Sequence, residues 1–265
     1  MAPNVLTIAG TDPSGGAGIQ ADLKAFSANG AYGMSVITAL VSQTTTGVSR
    51  VQEVPPDFIT DQLVTLFDDV RVDAVKIGML ANAEVIRAVA AVLERYSPRH
   101  VVLDPVMVAK SGDRLLAPEA VGALRDELLP IVDLITPNLP EAADLLGEAE
   151  IGSPDEMPAQ AERLAALGAK QVLLKGGHLR GESSVDLLHG DGVAEFLSSE
   201  RVDTTNDHGT GCTLSAAIAA LRPQRAGWLE AVGEAKQYLT EALHASERLD
   251  VGRGHGPVHH FHRWW

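Results

Sequence analysis

The stretch NVLTIAGTDPSGGAGIQADLKAFSA, residues 4–28, runs from a short β-branched segment through a glycine-rich loop into helical spacing. Val5 to Ala9 reads as a buried strand, and Ile19 to Ala28 as the helix that packs back on it. The same alternation continues outward from this unit. Strand-like runs recur at Val36 to Val41, Ala74 to Ile77, Val101 to Leu103, Leu134 to Thr136 and Val172 to Leu174. Segments of helical spacing separate them: Phe58 to Val70, Ala83 to Tyr96, Pro118 to Leu129, Leu139 to Leu146 and Asp155 to Leu167. Such alternation implies right-handed βαβ units, and hence an α/β fold with a mostly parallel central sheet covered on both faces. Val185 to Gly190 and Gly192 to Leu197, joined at a polar Gly-Asp-Gly junction, read as a hairpin added to that sheet. Thr213 to Leu221 and Trp228 to Leu249 read as two closing helices.

A chain of 265 residues with 45% hydrophobic content can bury a sizeable core, and one domain spanning residues 1–265 is expected. Gly147 to Pro158 is loop-like but internal, because Ser153, Pro154 and Glu156 have the order of a helix start. The formal net charge of -14 argues against nucleic-acid and membrane partners, whose binding rests on clustered Lys and Arg. The one cysteine, Cys212, cannot form an intramolecular disulfide, and the chain enters NVLTIA with no basic leader. No continuous stretch approaches the ~20 apolar residues of a membrane span. A cytoplasmic location is the expectation.

Open α/β sheets bind ligands beyond the carboxyl ends of their strands. Here those ends carry Thr11-Asp12-Pro13, Gln43-Thr44-Thr45, Gly78-Met79, Asp104-Pro105, Pro137-Asn138 and Gly176-Gly177. In a parallel sheet these turns converge on one edge, which is the expected site.

The string Asn206-Asp207-His208-Gly209-Thr210-Gly211-Cys212 precedes the helical TLSAAIAAL. Its glycines let successive backbone N–H groups face an anion, and the helix start adds its positive dipole end. Such a cradle suits phosphoryl transfer, with Cys212 placed as the base that takes the attacking hydroxyl's proton. A thiol of ordinary pKa ~8.5 is expected to fall at a helix N-terminus, making a thiolate plausible at neutral pH. The alternative is a glycine-rich turn before a packed helix holding a small buried cysteine.

Gly10 to Gly18 is a second glycine-rich loop, but no Gly-Lys-Ser/Thr ends it, so it is not a Walker loop. Gly16-Ala17-Gly18-Ile19-Gln20-Ala21 fits the loose dinucleotide pattern of an NAD-dependent oxidoreductase. The preceding strand ends too early for that, and the next finishes at Ser42-Gln43 where a ribose-binding acid belongs. Asn138 and Glu141 can hold Mg²⁺ or merely form a near capping box. Asp104 is a further candidate carboxylate at a strand end. Lys175 ends a strongly apolar strand, where an unpaired ammonium is costly, and it either meets phosphate or snorkels. Lys110, in AKSGD, reads as an ordinary solvated charge or a mobile-loop cation. The tail from Gly254 to Trp265 holds four histidines; without a fixed scaffold, packing or terminal disorder is a better account than metal binding.

Read together, AGTDPSGGAGIQADLKAF, TALVSQTTTGV, KIGML, LDPVMVAKSG, TPNLPEA, LLKGGH, DHGTGCTLSAA and GHGPVHHFH resemble the hydroxymethylpyrimidine/phosphomethylpyrimidine kinases of thiamine biosynthesis. The resemblance implies a three-layer α/β/α ribokinase-like fold with a rudimentary lid, often as a homodimer. It implies that ATP and Mg²⁺ phosphorylate 4-amino-5-hydroxymethyl-2-methylpyrimidine, then its monophosphate. Gln43 would read the aminopyrimidine edge, since an amide offers a donor and an acceptor side by side. Gly10, Ala17, Asp22, Val41, Met79 and Val106 would complete that pocket. Asp104 and Glu141 would hold Mg²⁺, while Lys175, Lys236 and Asn138 would serve ATP and its phosphates. Gly209, Thr210 and Gly211 would form the anion hole, with Cys212 as base. Pyridoxal kinase is the nearest rival, followed by an NAD-dependent oxidoreductase and a non-catalytic nucleotide sensor.

Overall fold

The computed structural model describes residues 1–108, 116–117, 119–177, 179 and 181–265. Lys110 lies outside the described residues. The first half of the chain forms β1 (Asn4–Ala9), α1 (Gly18–Ala28), β2 (Tyr32–Ile37), β3 (Ala39–Thr44), β4 (Gly47–Glu53), α2 (Pro56–Asp69), β5 (Ala74–Ile77), α3 (Ala83–Tyr96) and β6 (Val101–Leu103). The second half forms α4 (Ala120–Ala123), β7 (Leu134–Ile135), α5 (Leu139–Leu146), α6 (Met157–Ala165), β8 (Gln171–Lys175), β9 (Ser183–Gly190), β10 (Val193–Glu200), α7 (Thr210–Leu221) and α8 (Trp228–His244). Eight strands make one sheet in the order β10-β9-β8-β7-β6-β5-β1-β2, and β3 and β4 pair separately. The strands from β2 through β8 in that order run parallel, and only β9 and β10 are antiparallel additions.

The parallel strands are buried on both faces, which is why they read as continuous apolar runs. Alternate residues feed two different cores. Leu6, Ile8, Val75, Ile77, Val101 and Leu103 pack with α2 to α6, while Val5, Ala74, Val102 and Leu134 pack with α1, α7 and α8. The result is the three-layer α/β/α arrangement. Local caps hold the helices in place: Asn82 Oδ1 accepts the Val85 N–H at 3.0 Å to start α3, and Asn138 with Glu141 closes a full capping box on α5.

The expected strand Val36 to Val41 is two strands. At buried Thr38 the N–H still donates to Ala9 O, but the carbonyl accepts from Val54, so the chain leaves the main sheet. It then forms β3, whose partner β4 is exposed along most of its length and carries no buried face for a periodicity reading to find. The helix expected over Pro118 to Leu129 begins at Ala120 and loosens into a π turn at Leu124–Leu128 before a 3-10 turn at Leu129–Ile131. Pro130 has no N–H to continue the ladder. Similarly, α8 stops at His244, and a 3-10 turn at Ser246–Arg248 carries the chain to Leu249.

Candidate active site

The carboxyl ends of β1, β5, β6, β7 and β8 open into one cleft of about 720 Å³. The entry to α7 forms one wall. Gly209 caps the helix with φ +76°, a conformation that favours glycine, and a Cβ there would overlap the Gly16 carbonyl. The two glycine-rich loops are therefore seated directly on one another. His208, Gly209, Thr210, Gly211 and Cys212 line the cleft. Gly211 faces Asp104 and Lys175, both 3.4 Å from the position its Cβ would take. One turn later the Ser215 hydroxyl contacts Asp104 Oδ2 at 3.4 Å, tying the helix to the end of β6.

Cys212 is half-buried, and its thiol is pushed up to about 11. Burial is the main cause, and the nearby Asp22 and Asp104 carboxylates add to it. Lys76 and the Gly18 N–H pull the other way without prevailing. The expected neutral-pH thiolate is therefore not favoured: desolvation, with two acids adding to it, outweighs Lys76 and the Gly18 N–H.

Lys175 Nζ donates to Asp104 Oδ1 at 3.0 Å, and the Thr136 hydroxyl reaches the same oxygen at 3.2 Å. Burial opposes ionisation of Asp104, but Lys175 and Lys76 outweigh it and hold the carboxyl below its usual range. Lys175 is likewise held above its usual value, because Asp104 and Glu141 overcome its own burial. Glu141 Oε2 accepts the Asn138 N–H and Asn138 Oδ1 accepts the Glu141 N–H, each at 2.8 Å. The capping role is thus real, and both residues also line the cleft. Burial drives the Glu141 carboxyl up to about 7, with Asp104 adding and Lys175 subtracting. A buried carboxyl so short of positive charge suits a hydrated divalent cation shared with phosphates, since Mg²⁺ takes one or two carboxylates and keeps its waters. Further along the cleft, Lys236 donates to Asp186 Oδ2 at 2.6 Å.

On the opposite side lie Gly10, Ala17, Val41, Gln43, Met79 and Val106. Asp22 does not line the cleft. It is fully buried behind it, bonded to both Lys76 Nζ at 2.9 Å and the Thr7 hydroxyl at 2.6 Å. Lys76 supplies the wall instead. Asp12 organises the N-terminal loop. Its carboxylate accepts the N–H groups of Ser14, Gly16 and Ala17 at 2.9, 3.2 and 2.8 Å, and meets His208 Nε2 at 2.8 Å. Burial pushes Asp12 up, but these bonds win and hold it at about 2. The same His208 nitrogen lies 3.4 Å from Gln43 Nε2.

A family signature described as phosphomethylpyrimidine kinase matches residues 12–259. The chain belongs to the phosphomethylpyrimidine kinase family. The hydroxymethylpyrimidine/phosphomethylpyrimidine kinase of Salmonella typhimurium is 58% identical over 262 residues, covering 99% of this chain and 98% of that protein. Among solved structures, the phosphomethylpyrimidine kinase of Clostridium difficile is 45% identical with a TM-score of 0.81, over 91% of this chain and 99% of that one. A Bacillus subtilis pyridoxal kinase, solved as an ADP complex, is 41% identical with a TM-score of 0.90, over 98% of each chain.

Within this family member, the sequence reading missed the roles of four residues. Lys76 stands in the fully buried strand AVKI, where a lysine is costly unless paired, and that cost was the available signal. The Asp12–His208 pair joins residues 196 positions apart and leaves no local pattern. Asp186, the partner of Lys236, sits in the hairpin strand β9 and looks like any polar residue of a strand. The histidine-rich tail is packed: His255 pairs with Asp207 at 2.8 Å, His260 with Thr213 at 3.0 Å and His262 with Glu241 at 3.1 Å. Among the described residues, no group of three or more His, Cys, Asp or Glu side chains is arranged to hold a metal. Nor is any described helix long and apolar enough to cross a membrane.

Proposed function

We propose that this protein is an ATP- and Mg²⁺-dependent kinase that phosphorylates hydroxymethylpyrimidine to its monophosphate and then to the diphosphate. The observation that carries this reading is one cleft bounded by an anion cradle, an Asp104–Lys175 pair and an amide at Gln43. Family membership supports it. Asp104 and Glu141 would hold Mg²⁺, which supplies charge neutralisation at the phosphates when bound. Gly209 to Gly211 present backbone N–H groups to the transferring phosphoryl group. Lys175 and Lys236, held by Asp104 and Asp186, supply fixed positive charge.

In the first round, the acceptor hydroxyl oxygen bonds to the γ-phosphorus as the bond to ADP breaks, and its proton passes to Cys212. Loose phosphoryl-transfer transition states leave that proton in place until late. A thiolate whose conjugate acid titrates at about 11 is scarce at neutral pH but strongly basic, which suits late transfer. In the second round the acceptor is a phosphate monoester with a second pKa of ~6, already ionised at neutral pH. No base is required.

The test supplies hydroxymethylpyrimidine and its monophosphate separately with MgATP and quantifies both products. Turnover of both is expected; a folded protein that converts neither overturns the reading. Pyridoxal is the second acceptor to test, because the fold likeness to a pyridoxal kinase has a TM-score of 0.90. A kcat/KM for pyridoxal above that for the pyrimidine would reassign the substrate. The proposed cytoplasmic homodimer is checked by light scattering.

A further inference from the structure

The segment from Gly252 to Pro257 lies across two parts of the cleft wall that are distant in sequence. At one end it grips the β3–β4 turn. The N–H groups of Arg253 and Gly254 both donate to Thr45 Oγ1 at 3.1 Å, and the His255 N–H donates to Thr45 O at 3.0 Å. The approach leaves no slack, because a Cβ on Gly254 would overlap the Thr45 carbonyl oxygen. At the other end it grips the loop that enters α7. His255 Nδ1 meets Asp207 Oδ1 at 2.8 Å, the His208 N–H donates to Gly256 O at 3.0 Å, and His208 bridges to Pro257.

Beyond Pro257 the segment is anchored in the body of the protein. Val258 is fully buried, the His259 N–H donates to Ala242 O at 3.0 Å, and the Tyr238 hydroxyl donates to His260 O at 2.8 Å. The β3–β4 pair needs such a hold. It is only two strands, marginal on its own, and a bulge-like register shift between Ser42 and Gln43 interrupts the ladder beside the residue to be placed. Thr45 stands two residues beyond Gln43.

We propose that residues 253–257 are a positioning strap: by fixing Thr45 against Asp207 and His208, they set the Gln43 amide, and with it the acceptor hydroxyl, opposite Gly209 to Gly211. This rests on the reading of Gln43 as the acceptor-recognising amide. Thr45 and His255 are positioning residues, and neither lines the cleft.

The test compares Thr45→Val, which keeps the shape but loses Oγ1, with Thr45→Ser, which keeps the oxygen. His255→Ala cuts the other end. Gln43→Leu is measured alongside. Small misplacement of a reacting group costs on the order of 10–100-fold in kcat/KM. Thr45→Val and His255→Ala are expected to lose that much toward hydroxymethylpyrimidine with the KM for ATP unchanged, and Thr45→Ser to recover it. If Gln43→Leu impairs acceptor use while Thr45→Val and His255→Ala do not, the strap is refuted and the Gln43 role stands. Equal losses toward ATP and acceptor also refute it, because they indicate general disruption. If Gln43→Leu itself leaves acceptor use unchanged, the underlying reading fails, and the strap proposal falls with it.

Discussion

Replacing Cys212 by alanine should separate the two phosphorylations. The thiol is pushed up to about 11, so the thiolate is scarce at pH 7.5 and its share grows roughly tenfold per pH unit up to pH 9.5. If the thiolate accepts the hydroxyl proton, the first-round rate rises with pH, approaching tenfold per unit and ~100-fold over that interval. The sign follows from the active form being the deprotonated one. The second round has no such proton to remove and should stay nearly flat. Titrations of MgATP and of the cleft acids act on both rounds, so they cancel in the ratio of the two rates. Cys212→Ala should lower the first-round rate by ~10²–10⁴-fold, equivalent to about 3–5 kcal/mol of barrier, and abolish its pH slope. The second round should lose less than ~10-fold, since the anion hole remains. Single-turnover quench measurements with each acceptor, from pH 6.5 to 9.5, read both quantities. Parallel losses in the two rounds, or a first-round slope that survives in Cys212→Ala, would refute the base assignment and leave the cysteine a wall of the pocket.

Two further substitutions test the charges around that wall. Glu141 is raised to about 7 from an ordinary 4.5, so its ionisation costs the native state about 3 kcal/mol well above pH 7 and almost nothing below about 4.5. Glu141→Gln retains a capping acceptor and escapes this cost. Its melting temperature should exceed that of the wild type at pH 8 and converge at pH 4.5, while the Mg²⁺ dependence of turnover weakens; a Mg²⁺ titration matching the wild type removes the metal role. Lys76→Met strands the buried Asp22 carboxyl and should destabilise by ~3–5 kcal/mol, measured by denaturant unfolding. Adding Asp22→Asn should return part of that loss, and no recovery would show that the pair is not the source.

The sheet was legible because its strands are short, apolar and buried on both faces, and AVKI and VVL emerge with the boundaries that periodicity assigns. β4 was not, because a strand without a buried face leaves no alternation. The break at Thr38 depends on a hydroxyl that finds Met79 O at 2.7 Å, a partner 41 residues away. The convergence of strand ends on one cleft followed from parallel topology alone. Local chemistry inside the cleft did not follow, because it depends on long-range pairs. Cys212 looked activated from its helix start, yet burial pushes its thiol up against the pull of Lys76, with Asp22 in α1 and Asp104 just beyond β6 adding to the rise. Asn138 and Glu141 carried two readings, and the structure shows the capping bonds while leaving both residues on the cleft wall.

The Asp12 carboxylate gathers the amides of its own loop, so that loop arrives already satisfied by an anion built into the chain. Those three amides are therefore already engaged and are not free for a phosphate. The entry to α7, by contrast, brings Gly209 and Gly211 to the cleft with no such carboxylate bonded to their amides among the described residues.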